Sequence, residues 1–233
     1  FFLWSLMFAI IGMFLMPYAR RKDYESGAMG IFSLILSFLL LLLIVKSPFK
    51  YIWEADPSVA EGFLPTQGRG LNPILENFWI IIHPPILFLG YAATSIPFIF
   101  SVTALIKKDY TGWINVAMPW TLFASGILGL GIGLGGYWAY ETLGWGGFWG
   151  WDPVENTSLM PWLISMALVH TMLVQRKTGG LFKTNYFLAI TSFVLVLYAT
   201  FLTRSGILGD VSVHSFVDPG GTVYVLLLLF ILI

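Results

Sequence analysis

Seven apolar runs, each close to the length of a helix that crosses a bilayer, constrain this chain more than any other feature. They lie near residues 1–18, 29–45, 84–106, 118–136, 158–174, 185–203 and from 221 to the end. A bilayer core contains no water to bond the backbone, so about 20 apolar residues cross it as an α-helix. The sequence therefore predicts an all-α, polytopic transmembrane helix bundle with about seven spans.

The third run and the two chain ends qualify this prediction. Apolar residues already start at Phe78, and the pair Pro84 and Pro85 interrupts the run, which favours a short interfacial helix followed by the span. The chain begins at Phe1 inside one apolar run and stops at Ile233 inside another, so we expect a fragment. Its opening segment has no basic region or small-residue cleavage site and is typical of a span, not a signal peptide.

Charge and cysteine content exclude several functions. Twelve basic and twelve acidic residues cancel, so no overall field favours nucleic acid as a partner. The chain has no cysteine, which excludes disulfides, iron–sulfur ligation and thiol catalysis by its own side chains. It contains no phosphate-binding glycine loop and no nucleophile elbow. Redox or metal chemistry would have to use histidine, carboxylates or a bound cofactor.

Basic residues in the connections between runs predict the orientation. Eight basic residues fall in the first, third and fifth connections, and four fall in the second, fourth and sixth connections together. Because cytoplasmic loops are enriched in Lys and Arg, the side with eight is predicted to be cytoplasmic. The first group is Arg20, Arg21, Lys22, Lys107, Lys108, Arg176, Lys177 and Lys183, and the second is Lys46, Lys50, Arg69 and Arg204.

A segment rich in tryptophan and glycine, Tyr137 to Trp162, lies on the opposite, outer side. It holds five of the ten tryptophans, interleaved with glycines that let the backbone approach a flat ligand. This composition favours binding of a large planar aromatic molecule, and the alternative is an interfacial belt of aromatic residues. The tryptophans are Trp138, Trp145, Trp149, Trp151 and Trp162, and the glycines are Gly144, Gly146, Gly147 and Gly150.

These features divide the chain into three parts. Residues 1–136 form N-terminal transmembrane helices with an external loop at 46–83. Residues 137–157 form the external Trp-rich segment. Residues 158–233 form C-terminal transmembrane helices with an external loop at 204–220.

Residues around the Trp-rich segment have predicted local roles. Asp152, Pro153 and Glu155 are typical of a helix start, with Asp152 as N-cap that positions Trp149 and Trp151. The fourth run ends in closely spaced glycines, which favour helix packing, with a flat cofactor against this face as the alternative. Arg204 either pairs with an anionic propionate or anchors its helix at the interface.

The placement of the three histidines points to haem iron. Four crossings separate His83 from His214, so both share the side of the Trp-rich segment, where two imidazoles are suited to six-coordinate haem. The alternative is that each simply titrates in water. His170 lies about twelve residues into its span, roughly 18 Å deep and past the bilayer midline. Such a residue is a functional ligand, a packing histidine bonded to Ser165 or Thr171, or a histidine near the inner interface.

Four stretches together resemble one family. HPPILFLGY, WGGFWGWDPVENTSLMPWL, LVH and TFLTRSGILGDVSVHSF, taken in their order along the chain, are similar to the WWD haem-handling membrane proteins, and the DPVEN continuation is similar to CcmF-type cytochrome c haem lyases. The resemblance implies external haem ligands at His83 and His214, a haem platform at Trp138, Trp145, Trp149, Trp151 and Asp152 with Arg204 nearby, and a b-type haem on His170. The second ligand of that haem would lie in a later span.

The resemblance also implies an activity and partners. Such proteins take haem from a CcmE-type chaperone and attach it to the CxxCH cysteines of apocytochrome c with CcmH-type thiol partners, in a bacterial or mitochondrial inner membrane. One alternative is a haem exporter or delivery module of the CcmC or CcsA type without ligation activity. Others are a membrane electron-transfer cytochrome and a transporter without haem.

Overall fold

The computed structural model describes residues 1–68, 70–144, 146–208, 211–212 and 220–232. Within these ranges all regular structure is helical, which confirms the all-α prediction. The helices are α1 (Phe2–Arg21), α2 (Glu25–Val45), the single turn α3 (Ile52–Ala55), α4 (Phe78–Lys107), α5 (Trp113–Thr142), α6 (Pro153–Thr178), α7 (Phe182–Arg204) and α8 (Gly221–Leu232). A 3-10 turn, Pro73–Leu75, precedes α4.

Six of these helices are long and apolar enough to cross a membrane, and the chain is a polytopic membrane protein. They are α1, α2 and α4 to α7, while α8 is apolar but only 12 residues long in the described part. Each predicted apolar run therefore contains one helix. The described residues thus contain six helices of spanning length where about seven spans were predicted, and the seventh predicted run holds the shorter helix α8.

Helix α4 differs from its prediction. It is a single helix of 30 residues that continues through Pro84, Pro85 and Pro97, so the expected separate interfacial helix before the span is wrong. A proline inside a helix removes one hydrogen bond and normally weakens the helix. Here α5 packs closely along α4 on both sides of the prolines, and this contact keeps the helix continuous.

The contact between α4 and α5 depends on glycine. A Cβ atom on Gly90 would lie 2.7 Å from the Cα atom of Leu128, and one on Gly131 would lie 2.8 Å from the Cα atom of Leu87. Such distances leave no room for a side chain, so the two backbones touch. The helix-packing role predicted for the glycines of the fourth run is confirmed at Gly131. Helices α1 and α2 pack on one side of this pair and α6 and α7 on the other.

The ends of the bundle are distinct, and we name them the basic face and the Trp-rich face. The basic face holds the short turns α1–α2, α4–α5 and α6–α7, with the predicted excess of Lys and Arg. The Trp-rich face holds residues 46–68, 70–77, 143–144 and 146–152 and the C-terminal end of α7.

Asp109 joins three helices at the basic face. Its carboxylate accepts a hydrogen bond from the Tyr24 hydroxyl at 2.6 Å, and its backbone carbonyl accepts one from Tyr186 at 3.0 Å. Partial burial opposes ionisation, but bonds from Tyr24, Gly112 and Thr111 outweigh it and lower the pKa of Asp109. Burial, followed by the bond to Asp109, raises the pKa of Tyr24. The Asp109 carboxylate is therefore held in its charged form.

Candidate functional site

The Trp-rich segment forms a short turn between two long helices. Helix α5 extends to Thr142 and α6 begins at Pro153, so among the described residues of the predicted external segment 143–144 and 146–152 are non-helical. Both flanking helices are rigid supports for this turn. The aromatic side chains of the segment are therefore placed partly by helix geometry and partly by the turn.

The predicted helix start at Asp152 is confirmed. The Asp152 carboxylate accepts from the N–H groups of Val154 at 2.8 Å and Glu155 at 3.4 Å. In return the Glu155 carboxylate accepts from the N–H groups of Asp152 at 3.3 Å and Gly150 at 2.9 Å. This capping box satisfies backbone donors at the start of α6, and the Glu155 carboxylate also bonds the backbone of Gly150. It therefore fixes both ends of the Trp151 backbone.

Trp151 adopts a strained backbone conformation with an exposed ring. Its φ angle is +56°, a left-handed conformation that bulky residues rarely adopt, and its side chain is 74% exposed. The Asn156 side chain donates to the Trp151 carbonyl at 3.1 Å and helps to hold this geometry. Strain of this kind costs about 1 to 3 kcal/mol and concentrates at functional sites. The turn thus presents an indole ring to its surroundings at a cost in backbone energy.

A second group of aromatic rings lies beside this turn, and we name Trp79, Tyr137, Tyr140 and Phe148 the aromatic surface. Phe148 stacks on Tyr140 with centroids 4.4 Å apart and contacts Tyr137 at 5.3 Å. Tyr137 in turn contacts Trp79 at 4.9 Å. Tyr137, Tyr140 and Phe148 are each about half exposed. The arrangement provides a broad aromatic area at the Trp-rich face.

His83 lies one helical turn beyond Trp79 on α4 and faces the glycines of α5. Its Nδ1 atom is 2.8 Å from the carbonyl oxygen of Gly131. Because a carbonyl only accepts hydrogen bonds, Nδ1 is the donor in this contact, and in the neutral form of the ring the lone pair lies on Nε2. The ring packs over Gly135, where an added Cβ atom would lie 2.6 Å from Cε1 of His83. The half-buried imidazole is thus fixed in orientation and tautomer, as in many metal-binding histidines.

Two of the predicted tryptophans have different surroundings. Trp138 is only 6% exposed, and its indole N–H donates to the carbonyl of Ile74 at 3.3 Å, so it braces the 3-10 turn against α5. Trp149 is partly buried and contacts Trp151 at 6.5 Å, nearly perpendicular. The Nε1 atom of Trp149 is buried, and no acceptor bonds it among the described residues. Trp149 and Trp151 therefore lie together, whereas Trp138 has a supporting position.

Two predicted site residues, Trp145 and His214, lie outside the described residues. The described residue that comes nearest to His214 along the chain is Ser212. Its hydroxyl donates to the Asp152 carboxylate at 2.8 Å. The connection between α7 and α8 is therefore bonded to the Trp-rich turn just before His214 in the sequence.

Arg204 is the last residue of α7 and lies partly buried at the Trp-rich face. Its guanidinium is 5.9 Å from the centre of the Phe1 ring. This cation–π contact is compatible with the interfacial anchoring expected for it. The pairing with a propionate stays a prediction.

His170 lies on a different surface, on the exposed side of α6. Its Nδ1 atom is 2.7 Å from the carbonyl of Met166, so by the same reasoning Nε2 keeps its lone pair. Ser165 and Thr171 bond to Trp162 and Asn185 respectively. The alternative of a packing histidine bonded to Ser165 or Thr171 therefore does not describe this structure.

Sequence reasoning missed the aromatic surface and Ser212. Trp79 and His83 are four residues apart on one helix, and Tyr137 and Tyr140 are three apart on another, spacings that place side chains on one face. This periodicity was the available signal for the aromatic surface. Ser212 had none, because its partner is 60 residues away.

Comparison with known families places this geometry in context. The sequence model of the family described as "Cytochrome C assembly protein" matches residues 1–208. The cytochrome c-type biogenesis protein CcmF of Haemophilus influenzae is 41% identical over 232 residues, which are 99% of this chain and 34% of that protein. The protein CycK of Bradyrhizobium diazoefficiens is 45% identical over 195 residues, 83% of this chain and 28% of its own length.

A solved structure has a similar fold. It is titled Cytochrome c Heme Lyase CcmF and superposes with a TM-score of 0.68 at 28% identity, covering 98% of this chain and 35% of that one. The chain spans about a third of the length of the relatives and of the structure that it matches. The similarity thus covers nearly all of this chain but only about a third of each longer protein that it matches.

Proposed function

Because the chain belongs to the cytochrome c assembly protein family, we propose that it binds haem at its Trp-rich face and assists attachment of that haem to apocytochrome c. The reaction class is thioether formation. Each CxxCH thiol adds across a vinyl group, with sulfur bonding one vinyl carbon and hydrogen the other. Because the substrate supplies its own nucleophile, the chain has to bind, orient and shield the haem.

The geometry of His83 is the observation that supports this proposal most strongly. Its Nδ1 proton is committed to the Gly131 carbonyl, 2.8 Å away, and Nε2 keeps the lone pair that iron requires. The contact with Gly135 restricts rotation of the ring. A preset ligand loses little conformational freedom when it binds iron, which favours affinity.

The second proposed ligand is His214. It follows Ser212 by two residues in the sequence. Ser212 is itself bonded to Asp152 beside the Trp-rich turn. This proximity in the chain supports a role for His214 at the same site as Trp149 and Trp151.

The aromatic surface and the exposed Trp151 suit the face of a porphyrin. Stacking on aromatic rings contributes about 0.5 to 1.5 kcal/mol per pair beyond burial of area. Tyr137, Tyr140, Phe148 and Trp151 all expose about half or more of their area at this face. We propose that these rings and Trp149 form the haem platform, with Trp138 supporting it and Trp145 contributing from the turn. Arg204 is the proposed partner of a haem propionate.

His170 is the proposed ligand of a resident b-type haem. The donor fits this cofactor, because Nδ1 of the imidazole bonds the Met166 carbonyl and Nε2 is the ring nitrogen that remains for a metal, on an exposed helix face. A bound b haem would supply electrons that keep the substrate iron reduced. His170 would provide one ligand. The other ligand would come from another segment.

We further propose the setting in which this function takes place. The positive-inside rule directs the Trp-rich face to the outer side of a bacterial or mitochondrial inner membrane. A CcmE-type chaperone would deliver haem there, and CcmH-type thiol partners would present reduced apocytochrome c. The Asp-, Glu- and Trp-bearing segments at this face provide surface for such proteins.

Replacement of His83 by alanine tests the proposal. We expect His83→Ala and, separately, His214→Ala to abolish cytochrome c maturation in cells that produce all the other components. Wild-type yields in both variants would exclude the ligand assignment. Optical spectra of the purified protein, oxidised and reduced, report whether haem is bound. Retained haem with no thioether product in a reconstituted reaction would indicate a delivery module in place of a lyase.

A further inference from the structure

Ser212 and Asp152 connect two parts of the chain that are 60 residues apart. The Ser212 hydroxyl donates to Oδ2 of Asp152 at 2.8 Å. The same Oδ2 atom accepts from the N–H of Val154 at 2.8 Å. Asp152 is only 8% exposed, so little water competes for these bonds. Hydrogen bonds to a carboxylate are roughly twice as strong as those between neutral groups.

Both residues are also fixed by their own backbone. Asp152 is the N-cap of α6, a helix of 26 residues, and takes part in its capping box. The N–H of Ser212 donates to the carbonyl of Leu208 at 3.0 Å, and that of Val211 to the same carbonyl at 3.1 Å. A turn after α7 thus presents the Ser212 hydroxyl to a carboxylate that is already immobile. The bond joins two rigid elements.

The position of this bond relative to Trp151 gives it a consequence for the site. Asp152 directly follows Trp151, whose left-handed backbone and exposed ring depend on the capping box. Ser212 directly precedes the stretch that contains His214. A single carboxylate therefore connects the ring-presenting turn with the base of the histidine-bearing connection.

We infer that Ser212 is a positioning residue for haem at the Trp-rich face. Through Asp152 it bonds residues 211–212 to the turn of Trp149 and Trp151, and the proposed ligand His214 follows Ser212 by two residues in the sequence. The inference rests on the proposed haem-binding function and adds a residue to it. Ser212 itself touches neither iron nor porphyrin in this scheme.

Haem titration of the purified protein tests this role, with Ser212→Ala and Ser212→Thr as the informative pair. Alanine removes the hydroxyl, whereas threonine keeps a donor at the same atom. We expect Ser212→Ala to weaken haem affinity at least about tenfold, the factor that corresponds to 1.4 kcal/mol. We also expect its spectrum to shift from six-coordinate low-spin towards five-coordinate high-spin haem. Ser212→Thr should restore both properties.

The neighbouring Val211 provides a matched control, because it is 65% exposed on the same turn. Val211→Ala should bind haem like the wild type. A purely structural role for Ser212 would lower thermal stability without changing the spin state, and that result would overturn the inference. Equal affinity and spectra for Ser212→Ala and the wild type would overturn it too. After either of these two results, the proposed haem-binding function would still stand if the His83→Ala variant lost haem. If the wild-type protein bound no haem, both the proposed function and this inference would fail.

Discussion

The Nδ1 atom of His83 on α4 lies 2.8 Å from the carbonyl oxygen of Gly131 on α5. This bond lies beside a close backbone contact between the two helices, where Gly131 packs against Leu87. It determines which ring nitrogen carries the proton and where the other nitrogen points. The glycines of α5 therefore serve helix packing and histidine orientation together.

Gly135→Ala should displace the His83 ring without unfolding the protein. The new Cβ atom would lie 2.6 Å from Cε1 and 3.0 Å from Nδ1 of His83, and the ring can move away more easily than the helix backbone. We expect loss of the bond to Gly131 and a fall of about tenfold or more in haem affinity, the factor for roughly 1.4 kcal/mol. Haem titration followed by absorbance measures this change.

Gly133→Ala is the matched control for that substitution. Gly133 lies on the same helix, and an added Cβ atom there meets no heavy atom within 4 Å. Alanine in place of a helical glycine is expected to stabilise the fold by up to about 1 kcal/mol and to leave haem binding unchanged. Equal haem affinity in the Gly135→Ala and Gly133→Ala variants would contradict the role given to His83.

Replacements of Trp151 should separate backbone strain from ring contact. Trp151→Gly removes both the ring and the cost of the +56° φ angle, whereas Trp151→Ala removes the ring and keeps most of that cost. We expect both variants to bind haem more weakly. Thermal unfolding should show Trp151→Gly more stable than Trp151→Ala by about 1 kcal/mol. Identical stabilities would mean that the turn relaxes and that the strain is absent in solution.

His170→Gly should remove the proposed resident haem and leave the haem at the Trp-rich face in place. His170 is exposed and bonds only its own helix among the described residues, so its loss should affect folding by no more than the roughly 1 kcal/mol cost of a helical glycine. Added imidazole should restore the missing absorbance because it replaces the lost ligand. A full complement of haem in His170→Gly without imidazole would rule out this ligand assignment.

Asp109→Asn should alter the acid stability of the basic face. The folded pKa of Asp109 is lowered, so the wild type has a stabilising contribution above the unfolded carboxyl pKa, near 3.9. That contribution is lost as the pH falls through the lower folded value. An asparagine side chain does not ionise and therefore lacks this contribution to stability. We expect the variant to be less stable than the wild type at neutral pH by about 1 kcal/mol, a value reduced by solvent screening of the carboxylate. Melting curves between pH 3 and pH 7 should therefore converge at the acid end, and parallel curves would contradict the assignment.

The sequence predicted the elements whose causes are local. Apolar length fixed the helices, and the order Asp152, Pro153 and Glu155 fixed the start of α6, because a capping box needs only neighbouring residues. The shared face of His83 and the Trp-rich turn followed from counting crossings. These predictions depend on composition and short spacing, which the sequence displays directly.

Features that depend on contacts between distant residues could not be predicted in this way. The continuity of α4 through Pro84 and Pro85 comes from packing against α5, which overrides local propensity. The aromatic surface combines rings from two helices and a turn, and burial of Trp138 depends on the position of Ile74. In each case tertiary packing determines which side chains are exposed.

The prolines of α4 also affect how its first turns can move. Pro84 and Pro85 have no N–H, so the carbonyls of Ile80 and Ile81 lack their helical donors at the level of His83. The helix has fewer bonds to stretch there than elsewhere, and a small pivot of the end bearing Trp79 needs little energy. Bending at this height would move Trp79 relative to the turn of Trp149 and Trp151.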